Sequence, residues 1–128
     1  TMAHIRDGAS NTLLLGEKYV NSDCYNSGTD LGDRKCLYSG GAYALRSCGH
    51  KYYGWVGGNG PYPSFWWPPL QDRPGLDASW RFGGAHPGGL NFAFCDGRVA
   101  FISYSIEEAV YWLLGHRRDG KAFDGSEL

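Results

Sequence analysis

The chain has 128 residues, enough for one domain with a core of its own. Its 12 basic and 13 acidic residues leave a net charge of −1 and no basic stripe for nucleic acid. No apolar run reaches membrane-spanning length and no leader-like segment opens the sequence, while 20 glycines imply many turns and few long helices. A first residue of Thr1 rather than Met is what a processed or excised piece would have.

In chain order, "HIRDGASNTLLLGEKYV" opens with a turn at Asp7-Gly8. Ser10 and Asn11 follow as local backbone binders, and "TLLLGEKYV" predicts a buried strand. Residues 21–85 form a variable insertion. Its first part is polar and irregular and carries Cys24, Cys36 and Cys48; its second part, "YYGWVGGNGPYPSFWWPPLQDRPG", mixes Gly, Pro and large aromatics and cannot hold a regular helix. The first three cysteines are spaced by twelve, too widely for a usual zinc knuckle, and Cys95 stands apart. An even number of cysteines in a Gly-rich chain fits disulfides in an oxidising compartment. Of the three possible pairings, Cys24–Cys36 with Cys48–Cys95 is favoured, with four free thiols in a cytosolic protein as the rival.

Next comes "HPGGLNFAFCDGRVAFIS". Asp96-Gly97 between two apolar runs is a hairpin signal. A two-residue type I′ turn there sets Cys95 opposite Arg98, Phe94 opposite Val99, Ala93 opposite Ala100 and Phe92 opposite Phe101. One face then carries Leu90, Phe92, Phe94, Val99 and Phe101 as a core face, and the other Asn91, Ala93, Cys95, Arg98, Ala100 and Ile102. Asp96 is accounted for by the turn. His86 lies ~25–30 Å away along an extended strand, so the two do not share a catalytic site.

"SIEEAVYWLLGHRRDG" predicts a helix over 106–114, which is one candidate to cover the hairpin face, a helix outside this sequence being the other. Ser105 is the expected cap, Glu107 and Glu108 sit in the first turn, Gly115 is the stop, and Ile106, Ala109, Val110, Leu113 and Leu114 make the apolar stripe. In the polar tail, Asp119, Asp124 and Glu127 are the calcium candidates, but their spacing departs from the EF-hand pattern and a solvated acidic tail is preferred. Asp30 and Asp33 make a lesser pair of the same kind.

Other chemistry finds little support. His4, His50, His86 and His116 are scattered without zinc-ligand spacing, no nucleophile-elbow motif is present, and nothing adjacent activates Cys95. Trp55, Tyr62, Phe65, Trp66, Trp67 and Trp80 exceed what one hairpin core needs. They either fill the space beneath Gly-rich loops or offer rings to sugars or to a neighbouring subunit.

Two segments resemble a known family. "IRDGASNTLLLGEK" followed much later by "FGGAHPGGLNFAFCDGRVAFISYSI" is similar to the C-terminal half of the planctomycete prepilin-like proteins. Those proteins are marked by a processing-associated motif of His, nine residues and Asp-Gly. His86, Asp96 and Gly97 match it, and Asp7, Gly8, Ser10, Asn11, Thr12 and Glu17 match the earlier segment. The resemblance implies a type IV pilin or type II secretion pseudopilin head, exported and assembled through a long apolar N-terminal helix. This chain lacks that helix and its cleavage motif, so either it is a fragment or the helix belongs to another chain.

The sequence thus predicts an α+β head domain, or the C-terminal part of one, over 1–128. It has an antiparallel sheet, a C-terminal hairpin, a short helix and long Gly- and aromatic-rich loops. The expected role is that of a non-enzymatic, exported pilin-like structural subunit at the cell surface, in the extracellular space or in the periplasm. Its partner would be a second copy or a helix-bearing pilin-like chain, with no nucleic acid and no membrane contact by this chain itself. No cofactor is expected beyond the calcium considered above. A carbohydrate-binding module using the exposed rings is the alternative.

Overall fold

A computed structural model describes residues 2–33, 68–118 and 120. The architecture is α+β. Strands β1 (Leu13–Gly16), β4 (Gly89–Phe94) and β5 (Val99–Ser103) form an antiparallel sheet in the order β1-β4-β5. Two short strands, β2 (Leu70–Gln71) and β3 (Gly83–Gly84), pair in parallel beside it, and helix α1 (Glu108–Leu114) follows β5.

The core lies between the sheet and α1. Leu90, Phe92, Phe94 and Ile102 from the sheet meet Tyr111 and Leu114 from the helix, all fully buried. Phe92 is central, with edge-on ring contacts to Phe82 and Tyr111 at centroid distances of 5.0 and 6.3 Å. Gly16 makes this packing possible, because a Cβ there would run into the Phe92 and Phe82 rings. The predicted helix covers the hairpin, but its details differ. Ser105 bonds the Ser103 hydroxyl instead of capping, and Glu107 holds the N-cap position without a side-chain bond. Val110, Tyr111 and Leu114 are the buried positions, while Ala109 is exposed.

The hairpin forms with a different register from the one expected. Phe92 pairs with Ala100, Leu90 with Ile102 and Ala93 with Val99. Gly97 N donates to Phe94 O at 3.0 Å and Phe94 N to Arg98 O at 2.8 Å, so the loop is Cys95-Asp96-Gly97, three residues long. Only Gly97 of these has positive φ, at 89°, whereas a type I′ turn would need it at Asp96 as well. A three-residue loop closed by a left-handed glycine is the alternative connection. Since side chains alternate, the one-residue slip inverts β5: Ala100 and Ile102 face the core, and Val99 and Phe101 face outward.

β1 is also corrected. It is a bulged edge strand, with a register shift between Leu13 and Leu15, and not a buried one. Leu14 and Leu15 are 55% and 64% exposed, matching Val99 at 64% and Phe101 at 53%. Leu15, Ala93 and Val99 form one row across the outer face, with Asn91 and Phe101 in the next.

The observed register makes a clear forecast. Ile102→Ala is expected to cost about 2–5 kcal/mol of unfolding free energy in urea titrations, and Val99→Ala well under about 1 kcal/mol. The two-residue turn would give the reverse order.

Candidate functional site

The two motif segments dock onto each other at both ends of β4. At the turn end, Ala9–Asn11 makes one turn of 3-10 helix. Cys95 N donates to Thr12 O at 2.9 Å and Asp96 N to Ala9 O at 3.1 Å. Arg98 reaches across to donate to Ser10 O at 2.9 Å, and its guanidinium lies 3.9 Å from the Phe94 ring centroid. Asp96 Oδ1 accepts from Arg98 N at 2.9 Å, which is the role of a turn residue.

The opening segment is braced internally. Gly8, at φ 96°, offers its carbonyl to Asn11 N and to the Thr12 hydroxyl, both at 3.1 Å. Asn11 Nδ2 donates to Asp7 O at 3.2 Å. The same segment also holds the residues that follow α1. Arg6 N donates to Arg117 O at 2.8 Å, Gly120 N to Asp7 Oδ1 at 2.8 Å, and the Thr12 hydroxyl lies 3.3 Å from His116 O.

At the other end of β4, Glu17 is the hub. β1 ends at Gly16, and Glu17 N still donates to Asn91 O at 3.3 Å. Its own carbonyl then turns away to accept from Gly83 N at 3.0 Å. Asn91 N would lose its partner there, but Glu17 Oε2 takes it at 2.6 Å and accepts from Asn91 Nδ2 at 3.3 Å. Glu17 Oε1 pairs with His86 Nε2 at 3.3 Å, in a half-exposed position. The loop carrying His86 is tied again by Tyr104, whose hydroxyl lies 2.9 Å from Gly84 O and 3.3 Å from His86 O.

His86 and Asp96 therefore stand at opposite ends of β4, each with a scaffold partner of its own. Nothing in this geometry activates a nucleophile. Burial, and then the Asp96 carboxylate beside it, push the Cys95 thiol up and so away from the reactive thiolate. Cys24 and Cys95 carry free thiols, against the favoured pairing of Cys24 with Cys36 and Cys48 with Cys95; Cys36 and Cys48 lie outside the described residues. So do the aromatics Trp55, Tyr62, Phe65, Trp66 and Trp67 and the calcium candidates Asp119, Asp124 and Glu127. Trp80 is described and is 38% exposed. Asp30 is buried and serves as a local brace, accepting from Asn21 N at 2.9 Å and Gly32 N at 2.6 Å, while Asp33 pairs with Lys18. Among the described residues no three of His, Cys, Asp and Glu come together in a way that could hold a metal. None of their helices is long and apolar enough to cross a membrane.

Sequence reasoning missed a second polar hub. Asp72 accepts from Val20 N at 3.0 Å and from the Tyr25 hydroxyl at 2.6 Å, clamping 19–25 onto 72–77. Tyr19 adds its hydroxyl to Leu76 O at 2.9 Å and Arg73 O at 3.1 Å. The signal was faint: an acid in a Pro- and Gly-rich loop reads as solvated. The role of Glu17 was closer to hand, since Asn91 is the one strongly polar residue in the first arm of the hairpin.

Both hubs can be tested. Glu17→Ala strips the acceptor from Asn91 N and is expected to cost about 2 kcal/mol in denaturant titration. Glu17→Gln keeps an oxygen there and should cost less. His86→Ala removes only an exposed pair and should cost under about 1 kcal/mol. The bond to Asp72 pushes the Tyr25 hydroxyl up to about 12, with burial adding to it. A raised folded-state value means stability that is present below the tyrosine's ordinary pKa, near ~10, and is lost as pH rises through about 12. The stability gap between the wild type and Tyr25→Phe should therefore close between those limits, followed by tyrosinate absorbance alongside unfolding.

Residues 1–109 match the family described as "Protein of unknown function (DUF1559)", one often found in planctomycete proteins. No curated protein and no solved structure matches the chain. The family match takes in both motif segments, the whole sheet and the Glu17 hub, and on that extent the chain belongs to the DUF1559 family.

Proposed function

We propose that the chain is a pilin-like structural subunit of an exported assembly, working through its surfaces and not through catalysis. The observation that carries this reading is the outer face of the sheet. Leu14, Leu15, Val99 and Phe101, each more than half exposed, lie on the two strands that flank β4, with Ala93 of β4 between them. Scattered exposed apolar residues are ordinary, but a contiguous apolar row on a rigid sheet suits packing against another protein element. The motif residues fit the same reading, because their polar groups are spent on holding segments together. An extracellular, surface or periplasmic location follows from the resemblance to prepilin-like proteins.

The test is surface cross-linking in cells that make the full-length protein. Leu15→Glu should remove most of the cross-linked species while leaving the unfolding midpoint of the purified chain unchanged. Cross-linking that is absent from the wild type, or unaffected by Leu15→Glu, would overturn the reading. The exposure of Trp80 supports the carbohydrate-binding alternative, and glycan binding abolished by Trp80→Ala would favour it.

A further inference from the structure

The two edges of the sheet are finished differently. β1 is short and bulged, and beyond Gly16 the chain turns off to pair with 81–83. Short length, bulges, prolines and charged side chains are the usual ways in which an edge is kept from pairing with another chain. β5 has none of the last three: "VAFIS" runs from Val99 to Ser103 in unbroken register, without charge or proline.

The hydrogen bonds at the two ends of the hairpin fix which groups are free. Phe94 N donates to Arg98 O, and Tyr104 N donates to Gly88 O at 3.0 Å. Backbone groups alternate in direction along an antiparallel strand, so those of Ala100 and Ile102 face β4. Those of Val99, Phe101 and Ser103 point to the open edge, and among the described residues no strand pairs with them; the Ser103 carbonyl already accepts from Ile106 N at 3.1 Å and has its second lone pair left for another strand.

We propose that this edge is a strand-addition site whose occupant is β5 of a second copy of the chain, antiparallel about a two-fold axis at Phe101. Centred there, Phe101 faces Phe101 of the second copy, and Val99 faces Ser103. Every outward N–H then meets an outward carbonyl. No charge is brought opposite a like charge, because β5 has none. An isologous pairing needs one self-complementary strip and β5 supplies it, whereas a different partner would have to bring a matching uncharged strand. On the outer face the apolar row from Leu15 through Val99 and Phe101 continues across the axis into its copy. A strand of this length buries less than the ~800 Å² per partner of a standard stable interface, so the dimer is weak and depends on concentration. The proposal does not rest on the pilin-like reading, since it needs only the β5 edge that no strand among the described residues covers.

Sedimentation equilibrium of the chain at rising concentration is the test, with amide hydrogen exchange alongside. The wild type should show a monomer–dimer equilibrium, with Val99, Phe101 and Ser103 amides gaining protection as the dimer fills. Phe101→Lys sets two positive charges at the axis. Ser103→Pro removes an outward N–H while sparing the bonds to β4. Each should weaken the dimer about tenfold or more, whereas Leu15→Lys, on the same face but away from the edge, should not. A chain that stays monomeric throughout would overturn the proposal, as would a dimer weakened equally by Leu15→Lys. If Ser103→Pro fails to fold, the wild-type exchange pattern decides: protection gained elsewhere but not at these amides also overturns it.

Discussion

One carboxylate governs how this domain divides. Where β1 leaves β4, the amide of Asn91 must find an acceptor or be left unpaired beside the core, at a cost of ~1–3 kcal/mol. Glu17 supplies that acceptor from its side chain, so its main chain is released to pair with Gly83. A single residue thus serves the sheet with one group and the neighbouring β2–β3 layer with another. Its second oxygen, on His86, draws in the loop that enters β4. Sheet, side layer and entry loop all meet at this junction.

From that junction the remaining order propagates along β4. Its inner side chains make the core with α1, and its far end is gripped by the Ala9–Asn11 turn. The two sequence motifs are therefore two halves of one clasp. Their polar residues act on backbone groups, as Glu17 does on Asn91 N and Arg98 on Ser10 O. The spacing between His86 and Asp96 measures the length of β4 together with its loop and turn.

Much of this was legible. The alternation in "LNFAF" specified which side of β4 is buried, and the stripe around Val110 and Leu114 offered one of two candidate covers, the one that α1 supplies. The Asp96-Gly97 pair marked the turn correctly. It did not specify the register, because the same dipeptide closes a two-residue loop or ends a three-residue one. What settles the matter is the grip on Cys95 and Asp96 by Thr12 and Ala9, from the far end of the sequence. A local rule cannot contain that contact. The triple leucine misled for a related reason: Gly16 and Leu13 take the inner positions under Phe92 and Phe82, and the bulge turns Leu14 and Leu15 outward. The β2–β3 pair was invisible because two residues per strand leave no periodicity to read. The Asp72 hub was hidden because a lone acid has no sequence pattern that separates a brace from a solvated charge; for Glu17 the only hint was the polar Asn91 in an apolar strand.

The bond between Arg6 N and Arg117 O brings the beginning and the end of the described fold together at one spot. Gly120 on Asp7 reinforces it a short way outside. A unit whose two strands of connection leave from one point can be spliced into a surface loop of a host protein without prying that loop apart. It can equally be relinked across those ends and reopened elsewhere, with the clasp intact.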